Sequence, residues 1–258
     1  MIKSVLTKIN KKGGLLLFNN PNTLYYLIFY KIYQKFISKK TNDEEIKKFL
    51  KVGYFKSSIN SKKLTKLINE EIHKQYINET KEYFHFDIND KMKIKIKDFI
   101  NVDLKDLINK FEKFYNTNIS IAKIIIKRNF FIKDTSSEVY SNHYHVDQNT
   151  FNHFKVFINL MDIDNSKGPL HIYSKKNSKA FVIKNRYKNR NEYNDTELNE
   201  DVHINVGKEG DIFVADTSEC LHKAGKVEQG HYRDILFITF MAIPEKIDNG
   251  ADFFYYEK

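Results

Sequence analysis

Residues 210–240 read GDIFVADTSECLHKAGKVEQGHYRDILFITF. A Gly-Asp turn leads into the apolar run DIFVAD (211–216). A loop then delivers His222, and Arg233 opens a second apolar run, DILFITFMA (234–242). Short β-branched and aromatic runs separated by polar, Gly-containing connections are the pattern of antiparallel β structure. Further runs of this kind are ISIAKIIIKRNFFI (119–132), FKVFINLM (154–161), LHIY (170–173), AFVIK (180–184) and HINV (203–206). In 154–161 the alternation is clean. Phe154, Val156, Ile158 and Leu160 fall on one face, and Lys155, Phe157, Asn159 and Met161 on the other.

Upstream of residue 118 the period changes to that of helices. Thr41-Asn42-Asp43-Glu44 reads as a capping box, with Thr41 at the cap and a short helix ending near Gly53. Leu64, Leu67, Ile68 and Ile72 share one helical face, on a helix begun by Asn60 or Ser61. Leu104, Leu107, Ile108, Phe111 and Phe114 share another, with Asp103 as its cap. Helices first and strands afterwards, without alternation, exclude a doubly wound parallel sheet. The expected fold is mainly β with N-terminal helices (α+β), its core a cupin-like jelly roll or double-stranded β-helix. The expected organisation is a helical extension over 1–40 and one domain over 41–258, helical over 41–117 with a jelly-roll core over 118–245.

The 258 residues include 21 Phe and 16 Tyr, enough apolar material for a sizeable core. The formal charge is +10, carried mostly by scattered Lys without an Arg-rich tract, so no nucleic-acid partner is expected. Cys220 is the single cysteine, which excludes an internal disulfide and fits a reducing, cytoplasmic compartment. MIKSVLTKINKKGG lacks the apolar core of a signal peptide, and no run of about 20 apolar residues suggests a spanning helix. The aromatic segment 21–38, PNTLYYLIFYKIYQKFIS, reads as a helix. It either packs on the domain or a partner, or lies on a membrane surface as a peripheral contact. The polar segment 185–201 reads as a long loop.

His143-Tyr144-His145-Val146-Asp147 concentrates three metal-binding side chains in five residues, all at odd positions and hence on one face of an extended strand. One His-x-Asp is a weak signal in a chain with nine His. If the 143–147 strand and the 210–240 segment meet in a sandwich, His145, Asp147 and His222 form two imidazoles and a carboxylate. That is the facial triad of non-haem Fe(II) oxygenases, which leaves coordination positions open.

Taken as an ordered set, HVD, KGPLHIYSKKNS (167–178), GDIFVAD, His222 and Arg233 resemble the phytanoyl-CoA dioxygenase family of Fe(II)/2-oxoglutarate oxygenases. FLKVGYFKSSINSKKLTKLINEEI (49–72) is similar to the family's opening, and the resemblance spans about residues 44–243. Two features depart from the family: YSKKNS replaces its PGSH-like turn, and the chain has no Trp.

The resemblance implies Fe(II) on His145, Asp147 and His222, and 2-oxoglutarate held at its distal carboxylate by Arg233. A second cosubstrate contact from the preceding strand falls to Lys127 or Arg128. The implied activity is hydroxylation of a small organic substrate with O2, giving succinate and CO2. A carboxylate at 147 speaks against a halogenase, which needs that position open for chloride. A cupin with other metal chemistry lacks its first-motif glutamate here, and a non-catalytic jelly-roll scaffold has no reason to keep all four residues. His143, on the same strand face as the ligands, is expected either to line the pocket or to be a half-buried rim residue, and His231 is expected to help orient Arg233. Cys220 reads as a buried small residue and Asp216 as a turn former. The substrate itself, anionic or linked to a lipid or glycan, and the oligomeric state are left open.

Overall fold

The structure is a computed structural model, and it describes residues 41–77, 83–131, 142–147, 152–184 and 201–242. The expected helix 21–38 and all but the last residue of the 185–201 segment lie outside the described residues.

Helix α1 (Glu44–Val52) starts two residues later than the capping-box reading: Asp43, not Thr41, is its cap. Asp43 Oδ1 accepts from Ile46 N at 3.0 Å, while Thr41 Oγ1 accepts from Asp43 N. A cap must reach the amide three residues on, and only Asp43 does so here. Gly53 closes the helix at φ 97°, where a side chain would also run into Cys220 Sγ. Strand β1 (Tyr54–Ser57) and helix α2 (Lys62–Ile72) follow, then strand β2 (Tyr83–His85). Helix α3 (Asp90–Val102) is capped by Asn89, whose side chain accepts from Met92 N. Asp103 ends α3 rather than starting the next helix, α4 (Lys105–Tyr115), whose cap position is Leu104.

The strands are β3 (Ile119–Phe130), β4 (His153–Asn159), β5 (Leu170–Ile172), β6 (His203–Asn205), β7 (Ile212–Ala215), β8 (His222–Ala224) and β9 (Tyr232–Ala242). Two of these elements correct the sequence reading. AFVIK is not a strand but the end of helix α5 (Lys175–Lys184), opened by Ser174, whose hydroxyl accepts from Asn177 N at 3.2 Å. His222 is not delivered by a loop; it is the first residue of β8.

The strands form two antiparallel sheets, ordered β1-β7-β4-β9-β3-β2 and β6-β5-β8. A bridge between His145 and His222 adds the 142–147 segment beside β8. This is a double-sheet jelly roll with helices against one side. The large sheet buries Ile124, Ile126, Phe154, Val156, Ile158, Leu236, Ile238 and Phe240 against the helices. Phe111 of α4 stacks on Phe154 at 3.8 Å between ring centres, and Phe154 stacks on Phe240. Each such ring buried contributes about 2 kcal/mol or more. The opposite face of the sheet, with Phe157, Phe213 and Ile235, meets Leu170 and Ile172 of the small sheet. The candidate site lies in this second, thinner interior.

Candidate metal centre

Backbone register brings the two histidines together. His145 N donates to His222 O at 3.0 Å, and His222 N donates to His145 O at 2.9 Å. Residues paired in this way sit directly opposite and project to the same face. Their ring centres are 4.3 Å apart. Two residues along, Asp147 lies on that face too, held by its amide donating to Thr217 O at 2.7 Å. One ligand atom from each of His145, Asp147 and His222 lies within 4.8 Å of the other two.

The histidines are in the form a metal requires. His145 Nδ1 lies 2.7 Å from His143 O, and His222 Nδ1 lies 3.0 Å from Cys220 O. A carbonyl only accepts, so each Nδ1 carries the proton and each Nε2 presents a lone pair. Both Nε2 atoms face Asp147, at 3.7 and 3.8 Å from its oxygens. Burial, followed by the neighbouring His145, pushes the His222 imidazole down to about 3, so it is neutral at any ordinary pH. Burial pushes the Asp147 carboxyl up, but Lys155, His222 and His153 outweigh it and hold the group well below the usual carboxylate range. Two neutral imidazoles and one carboxylate on one face make a fitting donor set for a divalent transition metal.

Two residues that sequence reasoning passed over complete the surroundings. Lys155 Nζ lies 2.5 Å from Asp147 Oδ2, and His153, fully buried, lies 3.8 Å from that oxygen and 3.0 Å from Thr217 Oγ1. Both stand on the face of β4 opposite the helices. The alternation in 154–161 was the available signal for Lys155, since it placed a lysine on an otherwise interior face.

Arg233 is buried in the same interior. Its Nη1 donates to Gly168 O and its Nη2 to Asn129 Oδ1, while Nε has no hydrogen-bond partner among the described residues. Among the described residues no carboxylate pairs with it, and burial pushes the guanidinium down to about 10. A buried cation without a counter-charge costs several kcal/mol, which an arriving carboxylate would offset. The neighbouring Asp234 cannot serve. It projects to the helical side and holds Arg128 through two bonds of 2.6 and 2.5 Å. Burial pushes the Asp234 carboxyl up, and Arg128 opposes the shift.

The structure therefore does not bring Arg128 to the metal ligands; it sits over Phe86 and Tyr232, away from them. Lys127 is on the interior face, half-buried, with its ammonium 4.5 Å from the Tyr83 ring. His143 contributes its carbonyl to His145 and is half-buried. His231 is exposed in the turn before β9, its amide donating to Glu228 O. Cys220 is buried, and burial pushes its thiol far up. Asp216 shapes the turn by accepting from Ser218 N and Glu219 N, and it pairs with Lys175 at 2.6 Å.

No family model matches the chain, and no curated protein matches it by sequence. Solved structures do share the fold. HygX from Streptomyces hygroscopicus, with nickel and 2-oxoglutarate bound, aligns with a TM-score of 0.56 at 11% identity, covering 80% of this chain and 88% of that one. A second HygX structure, with nickel, 2-oxoglutarate and hygromycin B, aligns at 0.53 and 10% identity over the same shares. EctD from S. alaskensis, in its apo form, aligns at 0.51 and 11% identity over 80% of each chain. These likenesses place the chain in the jelly-roll fold used by such proteins. No helix among the described residues is long and apolar enough to cross a membrane.

Proposed function

We propose that the chain is an Fe(II)- and 2-oxoglutarate-dependent oxygenase that hydroxylates a small organic substrate. The observation that carries the reading is one interior holding both His145, Asp147 and His222 within 4.8 Å and the guanidinium of Arg233, which no carboxylate among the described residues pairs with. When bound, the iron and cosubstrate supply the oxidising chemistry, with succinate and CO2 as co-products.

The chain's own residues have distinct parts in this reading. His145 and His222 present Nε2 to the metal, each fixed in that tautomer by its carbonyl two residues earlier. Asp147 supplies the third, anionic ligand. Arg233 takes the distal carboxylate of 2-oxoglutarate, for which a planar fork with a vacant Nε–H is suited. Of the two residues considered for a second contact, Lys127 shares the interior face with Arg233, and Arg128 is committed to Asp234. Phe157, Phe213 and Phe237 wall the interior and keep water from the reacting centre. The HygX structures with nickel and 2-oxoglutarate bound, one of them also with hygromycin B, support a small-molecule substrate.

The test is turnover. Purified protein with Fe(II), ascorbate and 2-oxoglutarate in air should release succinate slowly even without substrate. His222→Ala should release none. Equal succinate from both proteins, or none from either while iron is bound, contradicts the reading.

A further inference from the structure

Asp147 is tied to the sheets differently from the two histidines. His145 and His222 are locked to each other by two backbone hydrogen bonds. Asp147 follows outside the named strands, and its amide bond to Thr217 O fixes the backbone but not the carboxyl group. A cation from the large sheet reaches that group. Lys155 Nζ lies 2.5 Å from Asp147 Oδ2, as a charge contact without an aligned hydrogen bond.

Lys155 is well placed to hold a ligand still. Its strand, β4, lies inside the large sheet between β7 and β9, so its backbone is fixed from both sides. Its neighbours in register, Ala215 and Thr239, are short and leave room for the lysine stem on the interior face. Nζ also stands 5.5 Å from the Phe237 ring. The Lys155 side chain is 16% exposed and that of Asp147 15%, so the pair is largely withdrawn from water and weakly screened by salt. Among the described residues Lys155 pairs with no other carboxylate.

The pair makes the two oxygens of Asp147 unequal. Oδ2 carries Lys155, with Nε2 of His153 and of His222 each 3.8 Å away. Oδ1 lies 3.7 Å from His145 Nε2. A carboxylate that meets a metal through one oxygen fills one position, and through both oxygens it fills two. With a one-oxygen Asp147, the histidines and the carboxylate leave an octahedral metal three positions, enough for a chelating cosubstrate and one further molecule. With a two-oxygen Asp147 the cosubstrate would take all that is left. Charge works in the same direction. Lys155 offsets the negative charge of the ligand set, so a divalent metal there keeps more of its own charge for an anionic cosubstrate.

We infer that Lys155 is a positioning residue of the metal centre: its ammonium keeps one oxygen of Asp147 from the metal and offsets the charge of the carboxylate. This inference rests on the oxygenase reading and deepens it.

The experiment titrates Ni(II) into metal-free protein, and then 2-oxoglutarate into Ni(II)-loaded protein, by calorimetry at fixed ionic strength. Lys155→Met keeps most of the side chain and removes its charge. It should bind Ni(II) about tenfold more tightly or better, because the buried carboxylate has lost its cation, and 2-oxoglutarate about tenfold more weakly or worse. Lys155→Arg should stay within about threefold of wild type in both titrations. The opposed shifts are the signature, since removing a lysine that merely braces the fold would weaken both bindings or neither. Lys155→Gln, which keeps an amide donor beside Asp147, should show the same two shifts and carries the test if the Met variant does not fold. Ni(II) affinity that does not rise in the folded neutral variant, or 2-oxoglutarate affinity that does not fall, overturns the inference alone. Wild-type protein that takes up no Ni(II), or takes it up and binds no 2-oxoglutarate, overturns the oxygenase reading, and this inference with it.

Discussion

Replacing Arg233 by Met separates a structural arginine from a receptor for a ligand carboxylate. The guanidinium is buried, donates to Gly168 O and Asn129 Oδ1, and has no carboxylate partner among the described residues. It is held at about 10 instead of 12.5, which corresponds to about 3 kcal/mol against its charged form at neutral pH. Met removes that cost and fills most of the volume. It also leaves one carbonyl and one amide oxygen with fewer partners, at about 1–3 kcal/mol. The two terms nearly cancel, so the metal-free protein should keep its urea midpoint or gain slightly. Cosubstrate binding should respond very differently. Two charge-assisted hydrogen bonds to a carboxylate, at about 1.5 kcal/mol each or more, amount to at least about 3 kcal/mol, or a hundredfold or greater loss of 2-oxoglutarate affinity. Calorimetric titration of 2-oxoglutarate into Ni(II)-loaded protein reads the second quantity, and urea unfolding of the metal-free protein reads the first. An affinity within about threefold of wild type would refute the reasoning. So would a loss of more than about 3 kcal/mol of stability, which would make Arg233 a scaffold residue.

Three further perturbations probe other parts of the molecule. Arg128→Met strands the buried Asp234 carboxyl and should cost about 3–5 kcal/mol in urea unfolding, while leaving 2-oxoglutarate affinity in the surviving folded fraction unchanged; a weakened affinity would restore Arg128 to the site. Phe154→Ala, removing a ring stacked between Phe111 and Phe240, should cost about 3–5 kcal/mol, and a loss under about 1 kcal/mol would contradict the packing described. His222 is pushed below its unfolded value of 6.5 to about 3, so as pH falls the unfolded chain takes up a proton that the folded chain refuses. Its contribution therefore destabilises the metal-free fold progressively between pH 6.5 and 3, by about 2 kcal/mol on going from pH 7 to 5. His222→Gln should flatten that limb of the urea-midpoint profile, and an unaltered limb would show that another group drives it.

The sequence pattern disclosed elements whose period is unbroken and hid those where two periods compete. Leu104, Leu107 and Phe111 mark α4 because their spacing fits only a helix. DKMKIKIK alternates Lys with apolar residues like a strand, so α3 emerges only once exposed Ile94 is set aside and Met92, Ile96, Phe99 and Ile100 are seen to share a face. AFVIK has β-type composition, yet no strand among the described residues pairs with it and Ser174 caps a helix running into it. The Lys127/Arg128 ambiguity has a specific cause. A bulge between Ile121 and Lys123 shifts the phase of β3. Counting by twos from Ile119 puts Lys127 in the helical core; the observed core residues Ile124 and Ile126 put Arg128 there instead. His145 and Asp147 share a face by spacing alone. Their meeting with His222 depends on a cross-strand pairing 77 residues away, which local pattern cannot express. Likewise, Lys155 could be assigned to the interior face from alternation, but its approach to Asp147 could not.

The metal centre proposed at His145, Asp147 and His222 would chelate 2-oxoglutarate. Its most direct test is the visible spectrum of the protein with Fe(II) and 2-oxoglutarate under strict exclusion of oxygen, beside His222→Ala. The wild-type protein should show a weak metal-to-cosubstrate charge-transfer band that is absent from the variant. A folded wild-type protein that takes up no iron and shows no band would contradict it.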